Sequence, residues 1–219
     1  MIGDLEYNRS WMKKKNRDLE LLHELGTLRF IKRSWVQFLR SDVASISEHM
    51  FRMAWIALII AKHEKVKDTG KILKMVLVHD ITESRTGDPH YVSRQYVKIN
   101  EELAISDMLE GTAVEKELKD IFHEYEDRKS IESKIVKDAD NLDVDMELKD
   151  YAGRDKDLYT KWRPTRLAVY KRLYTRTAKR LWKEIHTSSP HDWHIKGRNR
   201  LVAGDWKEKV NSLKRKIKN

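Results

Sequence analysis

The chain has no cysteine among its 219 residues, so disulfides and thiolate metal sites are excluded, and a reducing compartment suits it. Proline is scarce, at three, and there are only eight glycines. Little therefore interrupts the chain, and its apolar residues recur at the three- and four-residue spacing of helices. No stretch alternates in the way that marks a strand. Long hydrophobic runs are missing too. The longest, near residues 55–61, falls well short of the roughly 20 residues needed to span a bilayer. Residues 1–11 have no apolar signal core. These absences lead to an expectation of a cytoplasmic, all-α protein without a membrane segment.

Charge is plentiful. The net charge of +10 is unevenly placed: residues 161–219 hold 18 Lys/Arg against 4 Asp/Glu, or +14, which leaves −4 on residues 1–160. The expected organisation is a loosely ordered N-terminus over 1–16, one domain over 17–160, and a basic helical C-terminal extension over 161–219 packed on the core. A basic face of this kind is commonly just solvated surface, and an anionic partner is the sharper alternative.

Element boundaries follow from local signals. Residues 17–25 carry Leu19, Leu22 and Leu25 on one helical face, with Gly26 as a stop. Residues 27–43 show no clear period and read as mostly loop. Ser45-Ile46-Ser47-Glu48 fits a capping box and opens a helix to about residue 63. A single helix is expected over 68–85, ended by Gly87 and Pro89. After a loop through Tyr96, helices should end near 110 and run over 113–128. Ser130 opens a long helix to about 153 that contains Asp138, Asp140, Asp143 and Asp145. A basic helix over 165–185, a loop over 188–204 and a short basic helix over 206–218 complete the chain.

Chemistry concentrates at residues 75–83, where an apolar run delivers His79, Asp80 and Glu83. Polar groups on a buried element need partners, and an imidazole nitrogen beside a carboxylate suits a divalent metal. A His-Asp pair alone is weak evidence, because His191-Asp192 repeats it in a polar loop with nothing to bury it. Taken singly, the other candidates have plainer readings. His49 would be a satisfied helix-end histidine, Asp140 a carboxylate beside Lys137, Glu83 a partner for Arg85, and Arg33 a surface cation.

Together these residues fall into a recognisable order. Ser47-Glu48-His49-Met50, Leu77-Val78-His79-Asp80-Ile81-Thr82-Glu83, Thr86-Gly87-Asp88, His123-Glu124-Tyr125-Glu126 and Val136-Lys137-Asp138-Ala139-Asp140 resemble the 5′-deoxynucleotidase subgroup of the HD-domain phosphohydrolases. The resemblance implies an HD-domain helical bundle, a homodimer, and hydrolysis of nucleoside 5′-monophosphates to nucleoside and phosphate. It also implies one divalent ion held by His49, His79, Asp80 and Asp140. Mixed nitrogen and oxygen donors argue against Ca²⁺; they favour Mn²⁺, Co²⁺, Fe²⁺, Ni²⁺ or Zn²⁺ while admitting Mg²⁺. By the same resemblance Glu83 is the general acid/base, with Asp88 second, and Arg33 holds the phosphate. In bacterial members an aromatic directly follows that arginine and crowds a ribose 2′-hydroxyl. Here Ser34 follows, with Trp35 one residue later, so the choice of sugar stays open. Two alternatives remain: an HD hydrolase of nucleoside triphosphates or alarmones, and a nucleic-acid-binding protein with a vestigial site.

Overall fold

The computed structural model of the protein describes residues 16–195. Most of the N-terminus expected to be loosely ordered and the helix expected over 206–218 lie outside the described residues. Among the described residues there are helices and no strand; an isolated bridge joins Lys32 and Ser45. No described helix is long and apolar enough to cross a membrane.

The helices are α1 (Asp18–Leu25), α2 (Val36–Leu39), α3 (Ile46–His63), α4 (Thr69–Val78), α5 (Glu83–Thr86) and α6 (Glu101–Leu109). They continue with α7 (Glu115–Asp127), α8 (Ile131–Tyr151), α9 (Lys156–Arg172), α10 (Arg176–Thr187) and α11 (Asp192–Ile195). Side-chain caps fix several starts. Ser45 accepts from the Glu48 amide while Glu48 accepts from the Ser45 amide at 2.7 Å, the reciprocal box expected from the sequence. Asp68, Asn100, Ser130, Asp155 and Thr175 cap α4, α6, α8, α9 and α10 one way, each side chain accepting from the amide three residues on.

Helix α8 runs through the middle, packed by α3, α4, α7, α9 and α10. Its Ile135, Val136, Ala139 and Leu142 meet Met53, Ala57 and Ile60 of α3, Ile72, Met75 and Val76 of α4, and Phe122 of α7 in one core. Burying each of the larger of these side chains contributes about 1.5–3 kcal/mol. Leu173, Ala178 and Trp182 belong to the same core.

Four segments differ from the sequence expectation, one of them the loop expected over 188–204, whose described part contains the short α11. The helix expected over 68–85 stops at Val78. Beyond it the amides of Ile81, Glu83 and Ser84 reach back three residues, to the carbonyls of Val78, Asp80 and Ile81. These tighter turns reorient the chain before α5 resumes, and Gly87, at φ 69°, then ends it. Residues 27–43, read as mostly loop, contain a 3₁₀ turn over Gly26–Phe30 and the short α2, with Leu28 buried. The basic helix expected over 165–185 is two helices. Asp155 starts α9 before Pro164, and Asp138 accepts from the amides of Tyr174 and Thr175, which separates α9 from α10.

Candidate metal centre

Three elements bring the candidate ligands together. The capping box orients the first turn of α3, where His49 is 1% exposed. The tight turns after α4 supply His79 and Asp80, and α8 supplies Asp140. His49 Nε2 lies 3.6 Å from Asp80 Oδ2 and 3.5 Å from Asp140 Oδ1, and His79 Nε2 lies 3.1 Å from Asp80 Oδ2. Ligand atoms of His49, His79 and Asp140 all lie within 4.8 Å of one another.

The other ring nitrogens are committed elsewhere. His79 Nδ1 donates to the Val76 carbonyl at 2.8 Å, and His49 Nδ1 donates to Asp143 Oδ2 at 2.7 Å. Each acceptor can only accept, so each Nδ1 carries a hydrogen, and Nε2 is the nitrogen that offers a lone pair to a cation once it is deprotonated. Both Nε2 atoms are buried without a hydrogen-bond partner. Two orphaned imidazole nitrogens beside two carboxylates form a donor set that a divalent cation satisfies.

The electrostatics are those of crowded charge. Burial opposes ionisation of Asp80 and Asp140. The neighbouring cations outweigh it, chiefly His79 for Asp80 and Lys137 for Asp140, and hold both carboxyls well below the usual range. For His79, burial works against the imidazolium, yet the Asp80 carboxylate raises its pKa. Glu83 goes the other way. Burial first, then the Asp80 and Asp88 carboxylates, push its carboxyl up to about 10, and its Oε2 has no partner. It therefore keeps its proton at neutral pH when no ion is bound.

Arg33 is buried at the edge of this group. Its Nη1 is 3.3 Å from Asp80 Oδ2 and its Nε is 3.4 Å from Asp88 Oδ2. Asp88 Oδ2 also accepts from the Ser34 amide at 2.9 Å, so it fixes the backbone that carries Arg33. The guanidinium lies over the Trp35 ring, 4.6 Å from its centroid. Trp35 Nε1 donates to Glu147 Oε2 at 2.8 Å, and Glu147 Oε1 accepts from the Ala44 amide at 2.7 Å. All eight candidate residues thus lie in or beside one site. His191-Asp192 is apart from it, in an exposed segment.

Sequence reasoning missed Asp143, Arg52 and Glu147. Asp143 is buried, accepts the hydrogen bond from His49 Nδ1 and pairs with Arg52, which also reaches Asp150 at 3.2 Å. A carboxylate behind a ligating imidazole fixes its tautomer and raises its basicity. The signal was present in the spacing: Asp140, Asp143 and Glu147 follow i, i+3, i+7 on one face of α8, whereas Asp138 and Asp145 share another.

A family model described as HD domain matches residues 25–186. The chain belongs to the HD-domain family. This HD domain is 34% identical over 156 residues to the 5′-deoxynucleotidase HDDC2 of Dictyostelium discoideum, covering 65% of this chain and 82% of that protein. The Homo sapiens 5′-deoxynucleotidase HDDC2 is 29% identical over 153 residues, covering 64% of this chain and 74% of its own. Among solved structures, a conserved hypothetical protein from Pyrococcus furiosus shares the fold, with a TM-score of 0.65 at 23% identity. That match covers 77% of this chain and 99% of the other.

Proposed function

We propose that this HD domain is a metal-dependent phosphomonoesterase that hydrolyses nucleoside 5′-monophosphates, with deoxynucleotides preferred. The observation that carries the reading is the pair of buried, partnerless His49 and His79 Nε2 atoms beside Asp80, Asp140 and the buried Arg33. The curated 5′-deoxynucleotidase relatives support the substrate class.

In this reading His49 Nε2, His79 Nε2, Asp80 and Asp140 hold one divalent ion. The donor set favours Mn²⁺, Co²⁺, Fe²⁺, Ni²⁺ or Zn²⁺ and admits Mg²⁺. Once bound, the ion supplies Lewis-acid polarisation and lowers the pKa of a bound water. The chain's own residues do the rest. Arg33 offers forked donors to the phosphate oxygens. Asp88 keeps Arg33 and the Ser34 amide in place, which makes it a positioning residue. Glu83, its carboxyl pKa raised by burial and neighbouring carboxylates, is the group that can give a proton to the leaving 5′-oxygen. A divalent charge nearby lowers the Glu83 pKa from its ion-free position, towards the range where a carboxyl exchanges protons at neutral pH. Trp35, tied to Glu147 and stacked on Arg33, borders the sugar and crowds a 2′-hydroxyl. Cytoplasmic residence and a homodimer complete the proposal. A second copy would give the exposed apolar row Phe51, Trp55 and Ile59 on α3 a surface to pack against.

Phosphate release from a panel of ribo- and deoxyribonucleoside monophosphates tests this, using chelated protein with Co²⁺, Mn²⁺, Mg²⁺ or Zn²⁺ restored. Release should depend on the ion, favour deoxynucleotides and vanish in Asp80→Ala together with ion binding. Equal release from both sugars would remove the role given to Trp35, and no release with any ion would overturn the reading.

A further inference from the structure

Arg33 lies beyond Asp80, and a second cation lies beyond the other carboxylate of the cluster. Lys137, one helical turn before Asp140 on α8, places its Nζ 2.6 Å from Asp140 Oδ2. Asp140 Oδ1 is the oxygen near His49 Nε2, so the two oxygens of this carboxylate have different neighbours. Lysine–aspartate pairs at this spacing are common on helix surfaces and stabilise little. The setting of Lys137 is different. Its partner carboxylate is only 15% exposed and sits among ionisable groups, and the Lys137 charge also bears on Asp80 and on the half-buried Glu101 at the start of α6. Arg128 is the like charge that faces it. The Lys137 side chain is 37% exposed, so part of it is open to solvent beside the cluster. An ammonium has three donors, and the hydrogen bond to Asp140 uses one of them.

Charge balance gives this geometry a purpose. With a divalent ion in place, Asp80 and Asp140 cancel it, Asp88 cancels Arg33, and Glu83 is neutral while protonated. A phosphate monoester dianion entering that group meets uncancelled positive charge on the Lys137 side, where Arg128 adds to it and Glu101 opposes it. We infer that Lys137 is the second phosphate-binding cation of the site, holding the substrate's phosphoryl oxygens from the Asp140 side while Arg33 holds them from the Asp80 side. The inference rests on the proposed phosphomonoesterase reading and adds a substrate contact to it. The bland alternative is that Lys137 only steadies Asp140. That role would show in ion affinity and not in phosphate affinity.

The test uses inorganic phosphate as the probe, titrated calorimetrically into the full chain loaded with saturating Mn²⁺. Wild type, Lys137→Gln and Lys137→Arg are compared, and Mn²⁺ affinity is measured separately by electron paramagnetic resonance. Lys137→Gln should bind phosphate about tenfold more weakly, the loss expected for one charge-assisted hydrogen bond, with Mn²⁺ affinity within about threefold of wild type. Lys137→Arg should recover most of the phosphate affinity, which excludes misfolding as the cause. In turnover of a deoxynucleoside monophosphate, KM should rise in Lys137→Gln by a similar factor. Unchanged phosphate affinity in Lys137→Gln at saturating Mn²⁺, whether or not Mn²⁺ binding weakens, overturns the inference, as does failure of the wild type to bind phosphate. If the phosphate difference holds but no nucleoside monophosphate is hydrolysed, Lys137 stands as a phosphate contact and the proposed substrate class falls.

Discussion

At the scale of single residues, Glu83 is the group whose state departs furthest from its ordinary one. A carboxyl pushed up to about 10 is neutral in the folded, ion-free protein at pH values where the unfolded chain has already ionised. Both states hold the proton below about pH 4.5, so Glu83 costs nothing there. As pH rises, only the unfolded state releases its proton, and folding loses stability until Glu83 itself ionises near pH 10. Glu83→Gln removes that penalty. The ion-free variant should therefore lose less melting temperature than wild type between pH 5 and pH 8. Each kcal/mol corresponds to about 2–4 °C for a chain of this size. With the ion restored, the same variant should bind it normally and turn over about 10²–10⁴-fold more slowly, the usual loss for a missing acid/base group. Parallel melting curves at the two pH values, or full activity, would contradict the place given to this side chain.

At the scale of elements, the sequence was legible wherever the signal was local. The Ser45–Glu48 box, the Gly87 stop and the Ser130 cap can be read from a few adjacent letters because the groups that satisfy one another are a turn apart. The tight turns after Val78 were not legible. Ile81 resumes the apolar pattern after His79 and Asp80 with no glycine or proline between, and the turns aim His79 and Asp80 at α3 and α8, a requirement set by distant segments. The acids of α8 posed the same difficulty, since Asp138, Asp140, Asp143 and Asp145 look alike until each is matched to the helix it faces. Asp138, for instance, does no chemistry. It accepts from the Tyr174 and Thr175 amides and from Thr175 Oγ1, each at 2.8 Å, and so fastens the joint between α9 and α10. Asp138→Ala leaves these donors without a partner and should destabilise the fold by about 2–4 kcal/mol. Hydrogen exchange should locate the loosening in α10 while ion affinity stays near that of wild type.

At the scale of the whole molecule, the basic C-terminal third is joined to the site-bearing helix by buried charge. Arg166 of α9 grips both oxygens of the fully buried Asp145 at 2.8 Å. His186 of α10 approaches the same carboxylate at 3.3 Å and meets the Tyr159 hydroxyl through its other nitrogen. Such a network is costly to break, because removing one partner strands a charge away from water. Arg166→Ala should therefore cost about 3–5 kcal/mol, seen as a lower urea midpoint, although Arg166 lies outside the ion cluster. The family match reaches residue 186, and Leu173, Ala178 and Trp182 share the core with α3 and α4. Both findings are consistent with a role for these helices in holding α8 in register.

The four aspartates from Asp138 to Asp145 of α8 also limit how this chain can change over generations. Each serves a different neighbour, yet all ride on one continuous helix, where adding or deleting a residue rotates everything beyond it by about 100°. Point substitutions can retune any one of them separately. A single inserted or deleted codon between Asp138 and Asp145 would misdirect several at once, so lineages descending from such a chain should vary in length in their loops and termini and keep this eight-residue interval constant.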